Sequence, residues 1–374
     1  MKRRTFLKDA ALATVFAAGV PSLASAAIPS ERKKQNEDDK EKISSRLKFR
    51  PDGKFKILQF TDTHYIAGDP RSSRAMECVK EAIEAEKPDL VIHTGDILFG
   101  SPDKESALEI MRPISESGIP FAVALGNHDS QFGSSREEIF SLIRDLPGCL
   151  NKPPMEGIYG CSNDVITIEN NKRPERVLYL FDSMDAVILK GEEEIHSYDY
   201  IRYNQIGWYR HLSEKFTREN GGKPVPSLAF FHIPLPEIKE GLMDPSSVLI
   251  GNNCEPPCPS RLNSGLLAQF RELGDVEAII TGHDHDCDYV LQYGHMYYIY
   301  GRFSGCDTVY NHLGVKGNSE VKISGSRLFE FTSGKKGFRT WIRLLGGEVQ
   351  QDLYLEPDTQ LDRPSIGNDS EDEQ

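Results

Sequence analysis

The apolar positions between residues 55 and 146 switch repeatedly between two spacings. Phe55-Lys-Ile-Leu-Gln-Phe60 is a β-type run and predicts a strand, while Met76, Val79 and Ile83 recur at helical spacing and predict a helix over 72–86. Leu90–His93 predicts a second strand. Ala107, Ile110, Met111 and Ile114 predict a helix over 104–117, followed by a strand over 119–124 and a helix over 135–146. Strands alternating with helices in this way imply parallel strands joined by right-handed crossovers, because parallel neighbours cannot be linked by a tight turn.

The later pattern is different. Strands over 165–168 and 177–181 read as a pair. A helix over 204–216, a strand over 227–231, a helix over 263–273 and a strand over 276–280 follow. Short β-type runs then succeed one another at 289–292, Met296–Tyr300, 327–331, Phe338–Leu344 and 352–355. Strands of both orientations with helices outside them predict an α/β fold of two mixed sheets packed face to face, each covered on its outer side.

The chain ends read differently again. Met1-Lys-Arg-Arg-Thr-Phe-Leu-Lys8 is basic, residues 10–20 are apolar, and Ala24-Ser-Ala26 is a small-residue cleavage pattern. That order is an export signal over 1–26, predicting a periplasmic or secreted protein. Arg3-Arg4 followed by Phe6-Leu7 resembles the twin-arginine type; an ordinary secretory signal with two arginines is the alternative. About 11 apolar residues are too few to span a bilayer, so no stable membrane anchor is expected. Residues 27–49 predict a flexible linker, and 356–374, with seven acidic residues and one Arg, an acidic disordered tail. The folded domain is then 50–355.

Charge narrows the function. The 374 residues include 44 Lys+Arg and 57 Asp+Glu, a formal charge of −13. This acidity argues against a nucleic-acid-binding surface, which needs a basic face, but permits an anionic substrate wherever bound cations reverse the local sign. With 38% hydrophobic and 27% charged residues, the chain is neither a polytopic membrane protein nor wholly disordered.

Candidate chemistry recurs directly after the predicted strands: Asp62-Thr-His64, Gly95-Asp96, Gly126-Asn127-His128-Asp129, His232, and Gly282-His283-Asp284-His285. Each has an ordinary reading alone, as a surface pair, a turn, a self-bonded loop or a core histidine. In open α/β sheets, however, ligands bind beyond the carboxyl ends of the strands. Five strand ends in series would aim Asp, Asn and His at one crevice, and a shared metal site is the reading that explains them together.

In this order the motifs resemble the calcineurin-like metallophosphoesterases over nearly the whole folded unit. Phe230-Phe-His-Ile-Pro-Leu-Pro-Glu237, Asn263-Ser-Gly265 and Gly274-Asp-Val276 are similar to the branch holding the yeast dose-dependent cell-cycle regulator phosphatase and plant purple acid phosphatase 28/29-like proteins. The resemblance implies a four-layer α/β/β/α sandwich of the metallo-dependent phosphatase type and two metal ions. It implies Asp62, His64 and His285 as ligands of one ion, Asn127, His232 and His283 as ligands of the other, and Asp96 as the bridging carboxylate. Such O and N donors suit iron, manganese or zinc, divalent or trivalent. One departure stands out. Purple acid phosphatases carry a Tyr ligand three residues after the bridging Asp, and here that place is Phe99. Neither purple colour nor an obligatory ferric site is expected.

The implied activity is hydrolysis of a small-molecule or protein phosphomonoester by a hydroxide bridging the two ions, with His128 protonating the leaving oxygen. A histidine that only orients Asn127 is the alternative for His128. The rival functions are a phosphodiesterase on nucleotide or sugar-phosphate diesters and a catalytically silent phosphate-binding module. Asp129 is expected to cap the next helix, His93 to sit in the core, and Arg302 to lie on the surface. Asp284 and Asp286 should flank the ligands without joining them. The loops 145–165, 184–203 and 235–262 are expected to wall the pocket. Of seven cysteines, Cys254 with Cys258 is the best local disulfide pair and Cys149 with Cys161 a second, as an exported chain permits.

Overall fold

The computed structural model describes residues 45–190, 194–305, 308–309 and 323–362. The expected export signal, most of the linker, most of the acidic tail and Cys306 lie outside the described residues.

The chain begins with β1 (Ser45–Lys48), β2 (Lys54–Phe60), α1 (Ser73–Glu86), β3 (Leu90–His93), α2 (Asp103–Glu116), β4 (Phe121–Val123) and α3 (Arg136–Arg144). It continues through β5 (Asp164–Asn170), β6 (Arg173–Leu180), β7 (Ala186–Leu189), β8 (Ile195–Tyr198), α4 (Tyr203–Glu219), β9 (Ser227–Phe230), α5 (Ile238–Met243) and β10 (Val248–Ile250). The remainder is α6 (Leu266–Leu273), β11 (Val276–Thr281), β12 (Val290–Tyr293), β13 (Met296–Tyr300), β14 (Gly325–Thr332), β15 (Phe338–Leu344) and β16 (Val349–Leu355). Local chemistry sets several boundaries. The α1 helix stops where Lys87 turns left-handed (φ 45°) and returns its N–H to Ile83 O. The α3 helix starts with a capping box, in which Ser135 and Glu138 each accept the other's backbone N–H.

The strands form two mixed sheets. The six-stranded sheet has the order β16-β15-β14-β2-β3-β4, with β2, β3 and β4 parallel. The eight-stranded sheet has the order β1-β5-β6-β9-β11-β13-β12-β10, with β6, β9, β11 and β13 parallel. The strands β7 and β8 form a separate hairpin. Because side chains alternate across a strand, each sheet feeds two cores. Ile57, Leu90, Ile92 and Phe329 meet Ile166, Leu178, Leu228 and Ile280 between the sheets. Their neighbours Leu58, Phe60, Val91 and Val123 face outward onto Val79, Ile110, Ile114 and Phe140 of α1–α3. On the other side, Tyr179, Ala229, Phe231 and Ile279 pack under Trp208, Leu212, Phe216 and Phe270 of α4 and α6. The result is the four-layer α/β/β/α sandwich expected.

Several boundaries differ from expectation. The strand β1 pairs with β5, so the last residues of the segment expected as a linker belong to the sheet. Residues 356–361 are also docked rather than part of a free tail. Tyr297 Oη donates to Glu356 O, Gln292 Nε2 to Thr359 O, and Leu361 N to Gln292 Oε1. The elements β7, β8, α5 and β10 were not predicted; each is six residues or fewer, too short to establish a period. Neither expected disulfide is formed, since Cys149, Cys161 and Cys258 are free thiols. Among the described residues no helix is long and apolar enough to cross a membrane.

Candidate metal centre

The loops following β2, β3, β4, β9 and β11 meet at one end of the two sheets. The Asp62-Thr-His64 loop runs alongside the Gly95-Asp96 loop: Asp62 N donates to Gly95 O and His64 N to Asp96 O, each at 3.0 Å. The Gly95-Asp96 loop also lies so close to the Gly126 loop that both positions need glycine. A Cβ on Gly95 would lie 2.3 Å from Gly126 N, and one on Gly126 would lie 2.2 Å from Asp96 Oδ1. Backbone strain concentrates here too. Asp62 (φ 55°), His64 (φ 46°), Asp96 (φ 52°) and His283 (φ 81°) are left-handed non-glycine residues. Such conformations cost roughly 1–3 kcal/mol each and persist where the surrounding structure imposes them, commonly at functional sites.

The seven side chains named from the motifs come together. Asp62, His64, Asp96 and His285 offer donor atoms within 4.8 Å of one another, as do Asp96, His232 and His283. Asp96 belongs to both groups, as a bridging carboxylate would. Asn127 Oδ1 lies 3.1 Å from His232 Nε2, beside the second group. His232 is aimed by its other nitrogen: Nδ1 faces Thr94 O at 2.8 Å, which turns Nε2 toward Asp96.

Charge in this cluster is unusual. Asp62 and Asp96 are each 1% exposed, and among the described residues their ion-pair partners are all histidines. Burial alone would raise Asp62, but hydrogen bonds from His285 and His64 and the charge of His232 hold it well below the usual carboxylate range. Asp96 is held down in the same way, against burial, chiefly by His232. Burial lowers His64 to about 4 and His283 to about 3, leaving them neutral. Burial opposes the charged form of His232 as well, but Asp96 and Asp62 outweigh it and raise the group to about 9. Asp62 raises His285 too, against burial. A metal ion requires ionised carboxylates and neutral imidazoles, so the carboxylates, His64 and His283 are ready for one, whereas His232 gives up its proton when a cation takes its place. His283 Nε2 is buried without a hydrogen-bond partner among the described residues. The donor set is oxygen and nitrogen throughout and fits two first-row cations.

His128 occupies the rim, with its side chain 26% exposed. Its Nδ1 meets Gln131 Oε1 at 2.6 Å, and its Nε2 lies 3.9 Å from Asp96 Oδ2. Phe99 packs edge-on against both His128 (4.7 Å) and His64 (5.3 Å), so this position supports the cluster by ring contacts.

Other assignments need correction. Asp129 caps no helix: its carboxylate accepts N–H from Asp96 (3.1 Å), Ile97 (2.7 Å) and Gly126 (2.8 Å), fastening the loops after β3 and β4 together. Arg302 is fully buried, not at the surface, and pairs with Asp288. His93 is buried, as expected, and contacts Thr63 Oγ1 at 3.1 Å. Asp284 accepts from Tyr300 Oη at 2.5 Å and from Cys258 N, and lies outside both donor groups.

Two supporting residues escaped the motif reading. Arg136 is buried and donates to Gly126 O (2.6 Å) and Leu125 O (2.9 Å), immediately before Asn127 and His128. Its guanidinium is paired with Asp182, which also accepts N–H from Cys161, Ser162 and Met184. The pair thereby ties the end of β4 in one sheet to the end of β6 in the other. Asp182 stands two residues after β6 and obeys the same strand-end rule that found the other side chains.

Comparison with known proteins agrees with this geometry. The family model of calcineurin-like phosphoesterase matches residues 55–287. The chain is 30% identical to probable inactive purple acid phosphatase 14 of Arabidopsis thaliana, over 80% of this chain and 82% of that one. It is 28% identical to phosphatase DCR2 of Saccharomyces cerevisiae, over 81% of this chain and 56% of that one. A dimetal phosphatase from Danio rerio has the same fold, with a TM-score of 0.52 and 13% identity over 81% of this chain and 99% of that one. With the fold, the buried Asp/His cluster and the matched sequence in agreement, this chain belongs to the calcineurin-like phosphoesterase family.

Proposed function

We propose that the protein is an exported, dinuclear-metal phosphoesterase that hydrolyses phosphomonoesters. The observation that carries this reading is the sharing of Asp96 between two groups of donors, Asp62/His64/His285 and His232/His283. Asn127 joins the second group through its contact with His232. These residues would hold two cations, whose chemistry when bound would be to make hydroxide available near neutral pH and to offset phosphoryl charge. The chain's own residues do the rest. Asp96 would be shared by both cations, and its Oδ1 accepts the His128 backbone N–H at 2.8 Å, which fixes the rim histidine relative to the cluster. His128, partly open to solvent, delivers a proton to the departing oxygen, with Gln131 holding its far nitrogen. The buried walls exclude bulk water, which strengthens each of these interactions. For export, the basic–apolar–Ala-Ser-Ala order of residues 1–26 is the support.

A second reading is a silent phosphate-binding module, favoured by the name of the Arabidopsis relative, a probable inactive phosphatase. Chelator treatment followed by manganese separates the two. Metal-restored hydrolysis of an aryl phosphate supports the enzyme, whereas phosphate binding without turnover at any of manganese, zinc or iron refutes it. N-terminal sequencing of the secreted or periplasmic chain tests export; a chain that still begins at Met1 refutes it.

A further inference from the structure

Aromatic rings stand on both sides of the donor cluster. On one side Phe132 packs on Phe99 (5.4 Å), which packs on His128 (4.7 Å). On the other side the Tyr198 ring stands perpendicular to the His283 ring at 4.4 Å. Phe99, Phe132 and Tyr198 are all half-buried, Phe132 also packing against the core beneath α1–α3.

Tyr198 is a built feature rather than a loose side chain. It ends β8, where its backbone pairs with Ala186, and its carbonyl accepts from Ser260 Oγ at 2.8 Å. Its neighbour Ser197 accepts Arg261 N–H at 2.9 Å. Next to it, Asp199 pairs with Arg202, whose guanidinium lies over Tyr200 (4.0 Å) and Tyr159 (4.7 Å). This stack braces the end of the hairpin.

A phosphoryl group held at the cluster, flanked by His128 and His283, would have its leaving group close to the rings that pack on those two histidines. Half-buried rings offer apolar area and ring-to-ring geometry, and they carry no charge to meet a second anionic group. We propose that Tyr198 and Phe132 are specificity residues that select a phosphomonoester whose leaving group is a planar aromatic ring. The inference rests on the phosphomonoesterase reading and adds the substrate class to it.

Benzyl phosphate and cyclohexylmethyl phosphate test it. Both release a primary alcohol and differ mainly in whether the ring is planar. The full chain, loaded with manganese, is expected to favour benzyl phosphate in kcat/KM by about 3- to 10-fold, the size of one or two aromatic contacts. Tyr198→Leu and Phe132→Leu should each bring that ratio toward one, while Tyr198→Phe, which keeps the ring, retains it. Residual turnover of either ester shows that a variant is folded. A wild-type ratio near one, or a ratio that survives both leucine variants, overturns the specificity proposal and leaves the phosphomonoesterase reading standing. No turnover of either ester with manganese, zinc or iron overturns both.

Discussion

Two clusters of buried charge lie only three residues apart in the chain, at His285 and at Asp288, and they balance their charge in opposite ways. The Asp288 cluster is closed. Its carboxylate pairs with Arg302 and accepts Asn252 N (2.9 Å), Asn252 Nδ2 (3.1 Å) and Gln351 Nε2 (2.7 Å). Arg327 donates to the Asp288 carbonyl, to Tyr300 O and to Gln351 Oε1. The Asp62/Asp96 cluster is not closed in this way. Among the described residues its carboxylates have no guanidinium or ammonium partner; their ion-pair partners are imidazoles, and the donor atoms of the cluster converge on each other. A buried carboxylate with a fixed guanidinium is a structural tie; buried carboxylates that converge with imidazoles, which can give up a proton to a metal, make a site for cations.

That contrast can be broken from either side. The largest effect is expected from Asp96→Asn, which removes the shared carboxylate. Turnover of an aryl phosphate should fall roughly 10⁴-fold, several kcal/mol of transition-state stabilisation, with the far-UV circular dichroism unchanged. Near-normal turnover would remove Asp96 from the bridging role. Arg302→Met should do the reverse. Leaving Asp288 buried without its partner costs about 3–5 kcal/mol of stability, read as a lower urea midpoint, while the folded fraction keeps its turnover per molecule. If Arg302→Met instead spared stability and abolished activity, the two clusters would have been assigned the wrong way round.

His128→Ala tests the rim of the open cluster. Loss of a general acid should reduce turnover about 10²- to 10³-fold for alkyl phosphates, whose leaving oxygen needs the proton. The loss should be smaller for nitrophenyl phosphate, whose leaving group departs as an anion. Equal losses for both esters would make His128 an orienting residue for Asn127.

A third kind of buried carboxylate gives the smallest effect. Asp164 forms no ion pair among the described residues, and burial raises it to about 7 even though Lys152 N and Val165 N donate to it and the Lys152 charge pulls it down. Between about pH 4 and pH 7 the folded state therefore keeps a proton that the unfolded state has lost. Stability should fall as pH rises through that window and level off above it. The cleft beside Asp164 (lined also by Lys152, Met155 and Asn163) admits water, so the expected fall is roughly 1–2 kcal/mol. Urea midpoints across pH should show this slope in the wild type and not in Asp164→Asn; identical slopes would mean that the carboxyl titrates at an ordinary value.

Much of the site was legible before any coordinates because each donor stands directly beyond a strand. Asp62, Asp96, Asn127, His232 and His283 are local in that sense: a β-type run, a turn residue and a ligand type appear together. Asp129 and Arg302 misled for one shared reason. Their local patterns, a polar residue before a helix and a cation after a strand, have common surface explanations, and only their distant partners assign them. Arg136 was invisible because its function lies in a bond to Asp182, 46 positions away.

What the sequence alone determined is the order of the longer strands and helices and the recurrence of ligand-type residues just beyond the strands. Both follow from periodicity and from residues adjacent in the chain. The tertiary structure decided which donors share Asp96, that Arg302 and Arg327 lie buried around Asp288, and that Tyr198 reaches His283 from a hairpin between β6 and α4. Those facts depend on packing and hydrogen bonds between residues far apart in the chain, which local pattern does not encode.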